Sequence, residues 1–330
     1  MLRALIRVSA GSAAVLGLKR SRLDAAPTTA YLMCGAKCSR ACAFCAQGTA
    51  SSSRADLLSR VTWPDFPVEE ATGAISEAYR DGSIKRACVQ VVMSPGFVAR
   101  TQAVIRAVKA SCDVPLCVSV SGGEQIVRAM FEAGADRVSV PLDAASEEVY
   151  ARCKGPGWSA ALGLIRAAAR DFPGRMGTHL IAGLGETDEA LVQMFQTMHD
   201  LQVVVGLFSF TPVKGTPLEH EEPPPLPRYR AIQAARWLIM EGLARPEGLA
   251  FRNSRLVSFG IEERLFRKNL SDGRAFQTSG CPDCNRPYYN ERPGGLMYNY
   301  PRPLQPAEVE EAIGQALSWL DSSAAEDDNP

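Results

Sequence analysis

Three cysteines lie close together near the amino end of the chain, in the segment Cys38-Ser-Arg-Ala-Cys42-Ala-Phe-Cys45. Thiolates at this C-x3-C-x2-C spacing can bind three irons of a four-iron, four-sulfur cube, and they leave the fourth iron without a protein ligand. An open position on a metal is where a cofactor or substrate can bind and react. The spacing therefore predicts a catalytic [4Fe-4S] cluster on Cys38, Cys42 and Cys45. A zinc knuckle, or a chance grouping of cysteines, is the alternative.

This segment resembles the cluster-binding loop of the radical S-adenosylmethionine (SAM) superfamily, which also has an aromatic residue just before the last cysteine. The resemblance implies that the open iron binds the amino and carboxylate groups of SAM. One electron then splits the sulfonium and releases a 5′-deoxyadenosyl radical. We expect Phe44 to pack near the adenine or to shield the cluster, because a hydrophobic shell tunes the potential of a metal centre.

Short β-branched runs alternate with amphipathic segments over most of the chain, which is the pattern of a parallel α/β fold. The predicted strands are 29–35, 86–94, 115–122, 137–143, 175–183, 203–212 and 248–256. The predicted helices include 68–80, 98–110, 124–133, 159–170, 187–201 and 226–243. This order predicts a (β/α) TIM-type barrel, in which catalytic residues follow the carboxyl ends of the strands. The cluster segment follows the first predicted strand and so lies at that end.

Four further residues are predicted to bind SAM because they lie in, or directly after, predicted strands. Ser94 and Gly96 follow the second strand, where the superfamily places a backbone edge that binds the SAM amino group; a plain turn is the alternative. Asp143 closes the fourth strand and could accept the ribose hydroxyls, as acids do in dinucleotide folds. Its alternative role is to cap the next helix. Ile181 lies in a segment, residues 179–186, that resembles the superfamily's fifth-strand motif, and it is expected to touch the adenine.

A second pair of cysteines, Cys281 and Cys284, lies near the carboxyl end with two residues between them. A C-x2-C turn presents two thiolates to one metal, and Cys34 can supply a third. We therefore predict an auxiliary iron–sulfur cluster on Cys34, Cys281 and Cys284. The candidates for a fourth ligand are Ser279, Asn285 and Arg286. A zinc staple or a solvent-exposed dithiol is the alternative.

Three segments look like biotin synthase in order and spacing, and this resemblance covers roughly residues 30–256. The segments are 124–150, 183–187 and 213–218. In biotin synthase a sulfur-donating cluster is held by three strand cysteines and an arginine, and Cys88, Cys117 and Arg252 are the counterparts here. The remaining cysteine is missing from residues 175–183, which argues against biotin synthesis itself. Burial as small apolar residues is the alternative for Cys88 and Cys117.

The carboxyl-terminal cysteine pair and the Asn-Arg-Pro-Tyr-Tyr-Asn-Glu-Arg-Pro tail that follows it are similar to the biotin-synthase-like subunits of two-protein lipoyl synthases. The resemblance implies a radical SAM sulfurtransferase that forms C–S bonds at unactivated carbons of a protein-bound octanoyl chain. The expected partners are an octanoylated lipoyl-carrier protein and a ferredoxin- or flavodoxin-type electron donor, with or without a sister radical SAM subunit. Two other functions stay open: thiolation of desthiobiotin or another small molecule, and a non-catalytic iron–sulfur or zinc protein.

The charges of the 330 residues balance, with 36 Lys and Arg against 36 Asp and Glu. This balance argues against a general affinity for nucleic acid. The cysteines cluster at 34–45 and 281–284, which favours metal binding over disulfides, and oxygen-sensitive clusters belong in a reducing compartment. We therefore expect a cytoplasmic protein, although the basic first 23 residues leave an organelle presequence open. The chain contains no run of 18 apolar residues, so no membrane span is predicted.

The predicted organisation has four parts. They are an N-terminal helical extension (1–28), the barrel (29–260), an irregular cysteine-containing segment that packs on the barrel (261–305) and an acidic tail (306–330).

Overall fold

The computed structural model describes residues 4–35, 37–291 and 294–321. The strands in these ranges are β1 (Leu5–Val8), β2 (Thr29–Cys34), β3 (Leu57–Leu58), β4 (Val61–Thr62), β5 (Asp65–Pro67), β6 (Arg86–Val91), β7 (Leu116–Ser119), β8 (Arg137–Ser139), β9 (Met176–Ala182), β10 (Val204–Ser209), β11 (Ala250–Arg252) and β12 (Arg255–Ser258). The α-helices are α1 (Ala10–Val15), α2 (Val68–Arg80), α3 (Phe97–Ser111), α4 (Glu124–Glu132), α5 (Glu147–Lys154), α6 (Trp158–Asp171), α7 (Asp188–Asp200), α8 (Leu226–Met240), α9 (Glu263–Leu270) and α10 (Pro306–Asp321).

The central sheet has eight strands in the order β10-β9-β8-β7-β6-β2-β1-β5. The six strands from β10 to β2 run parallel. Strand β1 extends the sheet antiparallel to β2, and β5 pairs antiparallel with β1 and so runs in the same direction as the six. Helices connect successive parallel strands, and their buried residues share one core with the strand residues that face them. The predicted α/β fold of TIM-barrel type is confirmed.

Two of the predicted elements differ from the structure. Residues 248–256 do not join the central sheet, because the chain reverses there into the separate hairpin β11–β12. Asn253 and Ser254 both have positive φ, which is the backbone of a tight hairpin turn. The N-terminal extension was predicted to be helical, but its first described element is strand β1, and the short helix α1 follows it. Residues 1–3 and the end of the predicted acidic tail, 322–330, lie outside the described residues.

The alternation of side chains along β2 decides which of them reach the interior of the barrel. Tyr31 and Met33 belong to an inner cluster of buried residues, whereas Leu32 and Cys34 belong to the core between the sheet and its helices. Successive residues of a strand point to opposite faces, so this division follows directly from their positions.

The first and last strands of the parallel set, β2 and β10, do not pair with each other, so the barrel is open between them. In the described part of the chain β10 is paired only with β9, and β2 is paired with β6 and β1. Residues 277–291, called here the C-terminal strap, cross this opening. On one side the backbone N–H of Leu207 in β10 donates to Ser279 Oγ at 2.8 Å. On the other side the N–H of Thr28, just before β2, donates to Asn285 Oδ1 at 2.9 Å. The strap therefore takes the place of a closing strand.

None of the described helices is both long enough and apolar enough to cross a membrane.

Candidate active site

The three cysteines of the C-x3-C-x2-C segment lie in the loop after β2 and line one cavity of about 170 Å³. Backbone hydrogen bonds hold the loop in tight turns. The N–H of Cys38 donates to the carbonyl of Gln47 at 2.8 Å, and the N–H of Cys45 donates to that of Cys42 at 3.1 Å. The cavity opens at the carboxyl ends of the parallel strands, where barrels of this kind carry their active sites. We call it the SAM cavity.

The donor set of this loop fits an iron–sulfur cluster. Burial raises the pKa of Cys45 to about 12 and also raises the pKa of Cys42, and the nearby thiols add to the rise. The charge of Lys154 opposes the rise at Cys42. Thiols that resist ionisation in a buried loop need a metal centre to stabilise their thiolate form, and metal binding then displaces their protons. Cys38, Cys42 and Cys45 would hold the cluster here.

Two of the predicted SAM contacts, Phe44 and Asp143, line the SAM cavity together with the cysteines. Asp143 has a φ of 67° and lies next to Lys154, whose Nζ is 2.6 Å from its Oδ2. Ile181 lines the adjoining central cavity instead. The structure therefore brings these three predicted residues to the site, with Asp143 already engaged in an ion pair.

Ser94 and Gly96 do not line the SAM cavity, and their contact with SAM stays a prediction. The chain leaves the cavity at Met93, which lines it and whose carbonyl accepts from the N–H of Ser39 at 2.7 Å. Ser94 Oγ accepts a hydrogen bond from Arg100 Nη2 of α3 at 2.8 Å. Gly96 has a φ of 74° and forms the N-cap of α3. Both residues therefore serve the turn into α3.

A central cavity of about 190 Å³ fills the interior of the barrel next to the SAM cavity. The parallel register places Tyr31, Cys88 and Cys117 side by side on β2, β6 and β7, and all three line this cavity. The resemblance to biotin synthase made Cys88 and Cys117 counterparts of cluster ligands, and the pairing of β6 with β7 places them next to each other.

The strap adds Cys281 and Cys284 to the same cavity. A hydrogen bond to the Cys117 thiol, together with burial, raises the pKa of Cys281. Cys284 Sγ is 3.3 Å from the hydroxyl of Tyr31. Cys88, Cys117, Cys281 and Cys284 thus form one set of thiols, which we call the inner cysteine group.

In the described ranges, no three His, Cys, Asp or Glu side chains are placed to hold a single metal ion. A four-iron cube is broader than one ion, so the cysteines that hold it are spread farther apart.

Cys34 is not part of this group, which corrects its predicted role as an auxiliary-cluster ligand. It is 1% exposed and points to the outer face of β2, where its Sγ is 3.6 Å from Thr101 Oγ1 of α3. Burial raises the pKa of this thiol. Cys34 therefore packs between sheet and helix, on the opposite face of β2 from Cys284.

The arginine near the inner cysteine group is Arg286 and not Arg252. Arg252 lies on the outlying hairpin β11–β12 and is exposed. Arg286 lines the central cavity, with Nη1 3.8 Å from Cys284 Sγ and Nη2 donating to the carbonyl of Ser279 at 2.8 Å. Of the three candidates for a fourth ligand, Ser279 and Asn285 hold the strap in place, so Arg286 alone is directed at the thiols.

His179, which takes the place of the first glycine of the fifth-strand motif that residues 179–186 resemble, is a site residue that the sequence analysis did not single out. It lines both the SAM cavity and the central cavity. Burial lowers the pKa of His179 to about 4, so its imidazole is neutral at pH 7. A histidine in place of a motif glycine was the signal that could have marked this position.

The family model of the radical SAM superfamily matches residues 32–198, about half of the chain. This chain belongs to the radical SAM superfamily. Membership implies an enzyme that binds a [4Fe-4S] cluster and SAM.

Two solved structures show how widely this radical SAM fold is shared. HydG, a maturase of the [FeFe]-hydrogenase, is 12% identical over 78% of this chain and 60% of its own, with a TM-score of 0.52. The chain thus spans less than two thirds of HydG. Methylornithine synthase (PylB) is 15% identical over 86% of this chain and 85% of its own, with a TM-score of 0.51.

At these identities the likeness concerns the fold of the radical SAM protein alone. No curated protein matches the chain. The resemblance to biotin and lipoyl synthases therefore stays a prediction.

Proposed function

We propose that this radical SAM protein is a sulfur-insertion enzyme of the lipoyl synthase type, which forms C–S bonds at unactivated carbons of an octanoyl chain carried on a protein. The observation that carries the proposal is the inner cysteine group, four thiols beside the SAM cavity. Phe44, Cys45, Asp143 and His179 line both cavities, so the two are separated by one layer of side chains. A sulfur-bearing cluster on the inner group would face SAM across the substrate.

When bound, SAM and its cluster supply a 5′-deoxyadenosyl radical. The substrate C–H hydrogen atom would pass to this radical to give 5′-deoxyadenosine. The carbon would then bond to a sulfide of the cluster held by the inner cysteine group, one electron would pass to an iron of that cluster, and the cluster would be consumed as a substrate. This chain's task is to hold the carbon between the two centres and to exclude water. Ile181, Phe208, Phe210 and Val213 give the central cavity an apolar wall suited to an acyl chain.

Arg286 and Tyr31 support the inner cysteine group in this function. The backbone N–H of Arg286 donates to the Tyr31 hydroxyl at 2.9 Å, which leaves the hydroxyl proton free to face Cys284 Sγ. The guanidinium also lies near this sulfur and stacks over the Phe208 ring at 4.1 Å. A positive charge and a hydroxyl therefore lie beside Cys284 Sγ, where such groups orient a sulfur that binds metal.

The direct test is to incubate reconstituted protein with octanoylated lipoyl-carrier protein, SAM and a ferredoxin- or flavodoxin-type donor, and to record intact masses. The expected result is a mass gain for sulfur on the carrier and one 5′-deoxyadenosine for each C–H bond cleaved. No gain of sulfur, with and without a sister radical SAM subunit, would remove the proposal. Sulfur gain on free desthiobiotin but not on the carrier would favour the small-molecule function.

Metal content tests the cluster ligands separately from turnover. Wild-type protein with two cubes is expected to contain about eight irons per chain, and Cys88→Ala or Cys281→Ala about four. Cys34→Ala is the matched control and is expected to keep about eight, because its thiol faces α3. Equal iron loss in Cys34→Ala and Cys281→Ala would instead support the grouping first predicted from the sequence.

A further inference from the structure

A third cavity, of about 540 Å³, adjoins the central cavity on the open side of the barrel. We call it the side cavity. Its walls come from the N-terminal segment 9–27, the β3–β4 hairpin, the loop 212–214 and strap residues 287–291. It is larger than the SAM cavity and the central cavity, and none of the residues assigned above to the clusters or to SAM lines it.

The side cavity meets the central cavity at one wall. Tyr31, Ser59, Val213 and Tyr289 line both spaces. Among the described residues, none lines both the side cavity and the SAM cavity. The central cavity therefore adjoins the SAM cavity on one side and the side cavity on another.

The shared wall contains a buried polar group that lacks a partner. Tyr289 is 9% exposed, and its hydroxyl has no hydrogen-bond partner among the described residues. Its ring is held by Tyr31, with ring centres 5.5 Å apart, and by the edge of Trp63 at 6.2 Å. Buried hydroxyls are nearly always hydrogen-bonded, so this unpaired hydroxyl, in a side chain that lines both cavities, is available to a ligand that passes between them.

We propose that the side cavity admits the acyl-lysine arm of the carrier-bound substrate, and that the Tyr289 hydroxyl donates a hydrogen bond to the amide carbonyl of that arm. The proposal rests on the proposed function and adds the substrate's access route and a binding residue. SAM and the arm would then reach the central cavity from different sides, and the body of the carrier would stay outside. An arm that had to pass through the SAM cavity would collide with SAM.

The charge around the side cavity indicates what kind of carrier surface would dock. The basic residues of the segments that form its walls are Lys19, Arg20, Arg22, Arg60 and Lys214. The acidic ones are Asp24, which is exposed, and Glu291, which is only 5% exposed and accepts the N–H of Asn299 at 2.7 Å. The excess of positive charge fits a carrier domain whose surface around the acylated lysine is acidic.

The first experiment narrows the side cavity. Ala25 lines it, whereas the neighbouring Ala26 is exposed and does not. Ala25→Trp is expected to raise KM for octanoylated carrier about tenfold or more, and Ala26→Trp to stay within about twofold of wild type. Equal KM values for the two variants would overturn the proposed route.

A second experiment needs no turnover. An octanoyl-lysine arm with a diazirine beside its carbonyl, attached to the carrier protein, is photolysed with the holoenzyme and SAM, and the adducts are mapped by mass spectrometry. Adducts on Val61, Pro212 or Tyr289 are expected. The variant Arg22→Glu should give fewer adducts than Arg106→Glu, which makes the same charge change on the outer helix α3 and serves as the control. Adducts confined to the SAM cavity, or none, would overturn the proposal.

The two proposals fail in different ways. Adducts in the side cavity without any sulfur gain would remove sulfur insertion and leave the access route standing. Sulfur gain with adducts elsewhere would remove the access route and leave the function.

Discussion

The buried ion pair between Lys154 and Asp143 can be tested against an exposed pair of the same length. Lys154 Nζ is 2.6 Å from Asp143 Oδ2, and the two side chains are 3% and 11% exposed. Arg54 Nη2 is likewise 2.6 Å from Asp56 Oδ2, but those side chains are 74% and 33% exposed. The pairs differ in solvation and in the further hydrogen bonds of Lys154, so Arg54→Met is the exposed reference for Lys154→Met.

The expected loss of stability is much larger for the buried pair. Lys154 Nζ also donates to the carbonyls of Pro141 at 2.6 Å and Leu142 at 3.2 Å. Its removal leaves those oxygens and the buried carboxylate without their donor, which costs about 3–5 kcal/mol of unfolding free energy. An exposed pair is screened by water, so Arg54→Met should cost about 0–1 kcal/mol.

The assay is anaerobic urea unfolding of cluster-free protein, with wild type and both single variants compared. The double variant Lys154→Met/Asp143→Leu should recover much of the loss, because it removes both charges and leaves neither one buried alone. If Lys154→Met loses no more unfolding free energy than Arg54→Met, the buried pair is not the stronger one and the reasoning is refuted. Lys154→Met should also bind less iron on reconstitution, since the charge that opposes the raised pKa of Cys42 is gone.

Three further predictions follow from single contacts. Tyr31→Phe removes a buried hydroxyl with two partners in the strap and should cost about 1–3 kcal/mol of unfolding free energy in urea. The control Tyr79→Phe on α2 should cost little. Equal losses of unfolding free energy in the two variants would contradict the role of the Tyr31 hydroxyl. Gly260→Ala should cost about 1–3 kcal/mol more in urea unfolding than Gly82→Ala, because both glycines have positive φ but only at Gly260 would the new Cβ collide with a backbone carbonyl, that of Gly248. Equal stabilities of the two variants would show that the collision is relieved. Burial raises the pKa of Cys45 to about 12, and cluster binding displaces its proton. Iron uptake by the apoprotein should therefore increase from about pH 7 to pH 9. Iron uptake that does not change with pH over this range would contradict the prediction.

Much of the fold and the first metal centre could be predicted from the sequence because their determinants are local. Cys38, Cys42 and Cys45 lie within one loop, so their spacing alone places three thiols together. The predicted helix 68–80 matches α2 residue for residue, since its apolar positions repeat with the helical period. Six of the seven predicted strands are found in the central sheet, since runs of β-branched residues are also a local signal. The seventh failed at Asn253 and Ser254, where turn chemistry overrode the β-branched pattern.

The grouping of the other cysteines was decided only by the tertiary structure. Cys34 was assigned to Cys281 and Cys284 because it precedes the catalytic loop, but strand alternation turns it to the outer face of β2, where it meets Thr101. Cys88 and Cys117 become neighbours through the register of two parallel strands, and the strap then brings Cys281 against them from more than 150 residues away along the chain. Sequence spacing determines which ligands share a loop. Which ligands share a cavity depends on strand register and on the path of the strap across the open barrel, and these are set by the packing of the whole chain.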